Sequence, residues 1–254
     1  MSTIVITGGA TGIGMATARI AAGNGYHVAI ASLADTMDEA NTLVDELQAQ
    51  GSKAVALTTD ITVEEEVVEF FRRAEADLGP VSGLVNAAGL IYSADCTELE
   101  ADKVAALMAV NVTGLMLCSR EAARSMMGNE NNGGSIVNVS SMGATIGGRA
   151  RGACYAASKA AVDSFTTGMA KEVAKWNIRV NAVRPGLIDT GMTSEILNDP
   201  RRKKSIEESI PIGRVGRAHE VSEAIMWLMS DKASWISGAH LDISGGGFHV
   251  TGSF

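Results

Sequence analysis

The chain has 254 residues, with 21 Lys and Arg against 29 Asp and Glu, giving a formal net charge of −8. At 46% hydrophobic and 20% charged residues it is too apolar to be disordered, and this length lets one α/β domain bury roughly 70–75% of its unfolded surface. The acidic balance without a Lys/Arg stripe argues against nucleic-acid partners. The lack of an 18-residue apolar run or a basic leader before Thr3 argues against membrane insertion or export, leaving the cytoplasm as the expected compartment.

Short β-branched runs alternate with helical segments along most of the chain. Thr3–Thr7 reads as a strand and Ile13–Asn24 as a helix opened by glycines. His27–Ala31 is the next strand, followed by a helix over Met37–Gln50 that Gly51 closes. Lys53–Thr58 is a third strand. Residues 63, 67, 70, 71, 74 and 78 are apolar at helical spacing, predicting a helix over Val63–Leu78 that ends at Gly79-Pro80. Gly83–Asn86 and Ser135–Val139 read as short buried strands, with helices over Glu98–Val110 and Val112–Met127 between them. A long helix from Ala153 to Trp176 precedes the strand Arg179–Arg184, and Leu241–Ile243 supplies a last strand. This alternation predicts an α/β fold, a single-domain doubly wound parallel sheet of the Rossmann type with helices on both faces. The polar stretch Asp189–Ile210, which includes Arg201-Arg202-Lys203-Lys204, interrupts the pattern and reads as a mobile lid.

Cys96, Cys118 and Cys154 are odd in number and form no C-x-x-C pair, so they read as buried free thiols. The four histidines are scattered, and no metal site is expected.

Three motifs carry chemistry. Thr7-Gly8-Gly9-Ala10-Thr11-Gly12-Ile13-Gly14 follows the first strand and opens the first helix. Glycines there allow a tight turn and the close approach of a pyrophosphate to a helix N-terminus. The spacing lacks the G-K-[ST] of an NTP-binding P-loop, which counts against a kinase or ATPase. Tyr155 and Lys159 lie four residues apart and share a helix face. A phenol titrates near pH 10, and a neighbouring ammonium is expected to lower that value into the working range of an acid–base catalyst. Ser140-Ser141 ends the strand Ile136–Val139, at the carboxyl edge where ligands of such sheets bind.

The glycine loop, the Ser and Y-x-x-x-K together resemble the short-chain dehydrogenase/reductase family in its form of about 250 residues. The resemblance runs through Asp60-Ile61, Asn86-Ala87-Ala88-Gly89, Asn111-Val112-Thr113-Gly114, Arg184-Pro185-Gly186-Leu187-Ile188-Asp189-Thr190 and the late Gly245-Gly246. Within the family the chain is most similar to bacterial ketoacyl-carrier-protein reductases and sugar dehydrogenases. The resemblance implies an NAD(P)(H)-dependent oxidoreductase acting on a small carbonyl or secondary alcohol. In it Tyr155 is the general acid/base, Ser141 a donor to the substrate oxygen, and Lys159 the holder of the nicotinamide ribose. It also implies that Asn111 kinks its helix and helps anchor a water relaying protons to Lys159. Ser141 is preferred to Ser140 because it lies 14 residues before Tyr155, one more than the family's usual spacing.

For the cofactor, the resemblance places Gly8, Gly12 and Gly14 at the pyrophosphate, with Thr11 and Ile13 of the same loop also binding the cofactor, and Asp60 and Ile61 at the adenine. Asn86, Ala87 and Gly89 fall along the ribose and central sheet; Ala87 stands where the family often has a second Asn. Ile188 and Thr190 fall at the positions that hold the nicotinamide amide, and Pro185 and Gly186 just before them also bind the cofactor. Ser32, 18 residues after Gly14, occupies the position of the acid that favours NAD(H), so NADP(H) is expected with NAD(H) possible. Asp35 is the rival ribose ligand, and Thr11 stands where many NADP-preferring relatives carry Arg or Lys. Leu187, Met192, Ile196 and Leu197 either line an apolar substrate wall or pack the lid onto the body; the run Arg201–Lys204 reads as a solvated helix face. The resemblance further implies a homotetramer joined through the Val112–Met127 helix and the long helix carrying Ala156, Ala157, Ala160 and Ala161, with the tail Gly245–Phe254 at a subunit contact. Two other readings share some of these motifs. Extended-branch epimerases and dehydratases need a larger substrate domain than 254 residues leaves, and a non-catalytic dinucleotide sensor would have lost catalytic residues that all stand here.

Overall fold

The computed structural model describes residues 2–128 and 133–247. Seven strands form one all-parallel sheet: β1 (Thr3–Thr7), β2 (His27–Ser32), β3 (Ala54–Thr58), β4 (Val81–Asn86), β5 (Gly134–Val139), β6 (Ile178–Pro185) and β9 (His240–Ile243). A separate two-residue ladder pairs β7 (Ile188–Asp189) with β8 (Gly216–Arg217). The spatial order β3-β2-β1-β4-β5-β6-β9 reverses direction between β1 and β4, which opens a crevice at their carboxyl ends where ligands of such sheets bind. Every residue of β1 is buried, as a strand covered on both faces requires.

One face of the sheet is covered by α1 (Gly12–Gly23), α2 (Met37–Ala49) and α10 (Ala218–Met229), with Ala18, Ala21, Leu43, Leu47 and Ile225 packed on Ile6 and Ile30. The other is covered by α3 (Glu64–Leu78), α5 (Leu115–Gly128) and α7 (Ala153–Val173), with Phe70, Phe71, Met126, Met169 and Val173 around Val5, Leu84 and Ile136. The sequence reading did not contain α10. Its signal was present in Val221, Ile225, Leu228 and Met229 at helical spacing, and the helix docks on α1 through Thr17 Oγ1 donating to Ser222 Oγ at 3.0 Å.

The expected helix from Glu98 begins instead at Ala101, after a 3-10 turn at Cys96–Glu98. It does not break near Asn111. Instead α4 (Ala101–Met108) runs into a π-helical turn, Ala109–Gly114, and on into α5. The wider turn buries Asn111 completely and sets Gly114 against Ile61, where a Cβ would come within 2.7 Å of Ile61 Cγ1. The continuous span Ala101–Gly128 is long and apolar enough, by length and composition, to cross a membrane; in this fold it lies along the sheet with Leu107, Leu115, Ala122 and Met126 buried.

The stretch expected as a lid is mostly helical: a 3-10 turn at Gly191–Thr193, α8 (Ser194–Leu197) and α9 (Pro200–Ser209). Leu197, Ile206, Ile210 and Val215 form its own small core. A further short helix, α6 (Gly143–Ile146), follows β5. Only Cys118 matches the expectation of buried thiols: Cys96 is exposed and Cys154 half-buried, and burial with Glu121 nearby pushes the Cys118 thiol up to about 12.

Candidate active site

The turn between β1 and α1 is built around glycine. Gly8 has φ +64° and Gly12 φ +53°, conformations that L side chains rarely adopt. A Cβ on Gly8 would also come within 2.8 Å of Ala88 Cα, and one on Gly14 would run into the Gly8 carbonyl. The Thr11 side chain does not cap α1, so the first-turn N–H groups, which have no partner within the helix, remain open to an anion.

This turn forms one wall of a cleft of about 450 Å³ at the carboxyl edge of the sheet. Of the residues expected at a site, Gly8, Thr11, Gly12, Ile13, Gly14, Ser32, Asp60, Ile61, Ala87 and Gly89 line its first half. Ser141, Tyr155, Lys159, Pro185, Gly186, Ile188 and Thr190 line the rest. Asn86 and Asn111 do not reach it. Asn86 is buried in the sheet, its Nδ2 donating to Ser119 Oγ and Asn138 Oδ1, both at 2.9 Å. Asn111 lies behind the wall: its Oδ1 accepts from Leu90 N at 2.7 Å, and its Nδ2 donates to Leu90 O at 2.9 Å and Ser158 Oγ at 3.0 Å. The side-chain amide is therefore committed to the protein.

Tyr155 and Lys159 project from the first turns of α7. Lys159 is buried, its Nζ donating to the Val139 carbonyl at 2.9 Å and standing 5.8 Å from the centre of the Tyr155 ring. Both serines line the cleft, but their hydroxyls differ: Ser140 Oγ donates to the Lys159 carbonyl at 3.2 Å, whereas the Ser141 hydroxyl acts on the Tyr155 phenol. Ser141 Oγ also accepts from Gly143 N at 3.0 Å, which orients it.

The electrostatics differ from the expectation that Lys159 would pull the phenol down. Burial raises Tyr155, and the hydrogen bond from Ser141 is what opposes that rise. Lys159 is itself lowered to about 8 because its ammonium is desolvated, with the Asp163 carboxylate pulling the other way. The Lys159 Nζ spends a hydrogen bond on the Val139 carbonyl, and burial and Ser141 are the influences on the phenol.

At the far end of the cleft, Ser32 Oγ shares a 2.8 Å hydrogen bond with Thr36 Oγ1, and exposed Asp35 lines the same wall. Lys159 is the one Lys or Arg lining the cleft among the described residues. The four apolar residues weighed as substrate wall or packing divide: Leu187 and Met192 line the cleft, Leu197 packs with Ile206, Ile210 and Val215, and Ile196 is exposed. The basic run forms the exposed first turns of α9, where Asp199 Oδ1 accepts from Arg201 N and Arg202 N. The sequence reading missed Ser158 and Asp163. Both lie on α7 beside the singled-out pair, Asp163 at the i+4 position from Lys159, and that spacing was the available signal.

A family model described as enoyl-(acyl carrier protein) reductase matches residues 8–249. The uncharacterized oxidoreductase YgfF of Escherichia coli (strain K12) is 41% identical over 249 residues, covering 97% of this chain and 100% of that one. The cis-4-hydroxycyclohexanecarboxylate dehydrogenase of Sinomonas cyclohexanicum is 38% identical over 243 residues, covering 95% of this chain and 94% of its own. A blue fluorescent protein from a metagenomic library, solved in complex with NADPH, superposes with a TM-score of 0.89 at 31% identity over 96% of this chain and 97% of its own.

Proposed function

The chain belongs to the short-chain dehydrogenase/reductase family of NAD(P)-dependent oxidoreductases, and on that premise we propose that it interconverts a carbonyl and a secondary alcohol with Tyr155 as general acid/base. One observation carries the reading: Ser141, Tyr155 and Lys159 face the same cleft as the glycine turn of α1. That turn fits a dinucleotide, because the positions a pyrophosphate must approach are those where a Cβ would collide. Gly8, Thr11, Gly12, Ile13 and Gly14 would hold the pyrophosphate, Asp60 and Ile61 the adenine, and Pro185, Gly186, Ile188 and Thr190 the nicotinamide end. When bound, the cofactor supplies or accepts the hydride.

The protein's part is the proton. Tyr155 gives its phenolic proton to the substrate oxygen as negative charge develops there, and Ser141 hydrogen-bonds the same oxygen. Burial raises the phenol, so it is protonated at neutrality and suited to donate in the reducing direction. Lys159 places positive charge behind it, and Asn111 ties the loop at Leu90 to Ser158 of α7 through its three hydrogen bonds. Ile91, Leu187 and Met192 give the cleft apolar walls, which suit a carbonyl carrying apolar substituents.

The preferred cofactor is NADP(H), by about tenfold, or roughly 1.4 kcal/mol. The Ser32 hydroxyl can donate to a 2′-phosphate and does not repel it, while Asp35 and the lack of a lining Arg near Ser32 keep the preference small. The assembly is a homotetramer through α5 and α7: Ala157 and Ala160 present small exposed side chains, whereas Ala156 packs inward. Of the tail Gly245–Phe254, residues 248–254 lie outside the described residues. Turnover across ketones, sugars, ketoacyl thioesters and steroids with NADPH and NADH tests the reading. Reduction of at least one carbonyl, faster with NADPH, is expected; no turnover of any of them contradicts the activity, and a tenfold advantage for NADH makes Asp35 the ribose ligand. A stable monomer by light scattering at micromolar concentration contradicts the tetramer.

A further inference from the structure

One buried carboxylate has no part in the mechanism above. Asp163 lies on α7 one turn beyond Lys159, with 9% of its surface exposed, and residues so spaced stand about 5–6 Å apart between Cβ atoms. Its Oδ2 accepts from Arg184 Nε at 2.8 Å, and Arg184 in turn reaches Asp242 Oδ1 at 3.6 Å. Its Oδ1 is buried and accepts no hydrogen bond. His240 Nε2 lies 3.8 Å from that oxygen but is hydrogen-bonded to the Asp163 backbone carbonyl at 3.0 Å. Arg184 immediately precedes Pro185 and Gly186 of the cleft wall. The cluster therefore backs the catalytic pair without touching the cleft.

A carboxylate with one oxygen unbonded in a low-dielectric interior is costly and projects its field onto neighbouring cations. The charged groups near it can be named element by element. Strand β6 supplies Arg184, β9 supplies His240 and Asp242, and α7 itself supplies Lys159 and Tyr155. Neither α6 nor the π-helical turn carries a charged side chain. In α4, Asp102 and Lys103 are exposed, and in α5, Arg120, Glu121 and Arg124 pair among themselves and with Glu64. Lys159 is left with a backbone carbonyl at its Nζ and with Asp163 as the carboxylate acting on it.

We propose that Asp163, braced by Arg184, is a positioning residue that holds Lys159 in its ammonium form and so sets the pH range in which Tyr155 and Lys159 work. The proposal rests on the acid–base reading of that pair. Burial alone pulls the Lys159 ammonium down, and Asp163 acts against it. Asp163→Asn removes the carboxylate and leaves the Arg184 charge unneutralised, and both changes lower the Lys159 midpoint. Arg184→Gln leaves the carboxylate uncompensated and raises it.

The test uses the full-length protein carrying ¹³C at the lysine Cε. With eight lysines, the Lys159 signal is assigned by its loss in Lys159→Arg. Asp163→Asn is expected to shift the Lys159 midpoint down by on the order of one pH unit, Arg184→Gln to shift it up, and Asp163→Glu to restore it. The alkaline limb of kcat/KM for carbonyl reduction should move the same way, whereas a merely structural role would lower activity equally at every pH. An unmoved midpoint in folded Asp163→Asn, or both variants moving it in the same direction, overturns the proposal. If Asp163→Asn does not fold, Arg184→Gln decides alone: a raised midpoint supports the proposal and an unraised one overturns it. Because the resonance needs no turnover, an inactive wild-type protein would overturn the functional reading while the titration still decides the role of Asp163.

Discussion

Replacing Asn111 by Ala removes three hydrogen bonds at once from a fully buried position: Leu90 N to Oδ1 at 2.7 Å, and Nδ2 to Leu90 O at 2.9 Å and to Ser158 Oγ at 3.0 Å. Ser158 keeps its own donation to the Tyr155 carbonyl at 2.7 Å, so the groups left without partners are the N–H and C=O of Leu90. At about 1 kcal/mol net for each bond, the loss is about 3 kcal/mol. For a chain of this length that corresponds to a fall in Tm of roughly 6–12 °C. Asn111→Asp should cost at least as much, since it keeps the acceptor for Leu90 N but sets a second acceptor against Leu90 O. Urea unfolding with an unchanged m-value measures the difference directly. A loss below about 1 kcal/mol for Asn111→Ala would refute the claim that this amide ties the cleft wall to α7.

Gly8→Ala should weaken cofactor binding at least tenfold while the chain still folds with reduced stability, because the new Cβ meets Ala88 Cα at 2.8 Å and the backbone stands at φ +64°; cofactor titration followed by fluorescence checks it. With Lys159 lowered to about 8, kcat/KM for carbonyl reduction should fall as pH rises past that value, the apparent pKa belonging to the Tyr155–Lys159 pair. The same depression means that the unfolded chain binds more protons between about pH 8 and 10.5. This group therefore adds stability as pH rises through that window and none below it, which denaturation across pH measures.

Much of the fold was legible because the inner strands of the sheet are buried on both faces and so read as uninterrupted apolar runs, as Ile4–Ile6 and Val28–Ala31 do. The π-helical turn at Ala109–Gly114 was not, since its wider register reflects the fit of Gly114 on Ile61, a contact across 53 residues of chain. The α10 helix went unread although Val221, Ile225 and Leu228 carry the right spacing, because no glycine or proline marks its start after Arg217. In the site, Tyr155 and Lys159 declare their shared face through helical spacing alone. The direction of the Lys159 Nζ does not follow from spacing, because it depends on which strand carbonyl lies beneath it. Likewise the choice between the two serines, which both line the cleft just past the end of β5, rests on where each hydroxyl is spent: Ser140 Oγ on the Lys159 carbonyl, Ser141 toward the Tyr155 phenol.

The most direct test of the account is carbonyl reduction by wild-type protein and by Tyr155→Phe, alongside NADPH binding and thermal melting of both. Loss of the phenolic oxygen removes the proton donor and leaves the glycine turn and the core untouched. The account predicts a fall in kcat of about 10²–10⁴ with Tm and NADPH affinity near wild type. A folded, NADPH-binding Tyr155→Phe protein that turns over at close to the wild-type rate would contradict it.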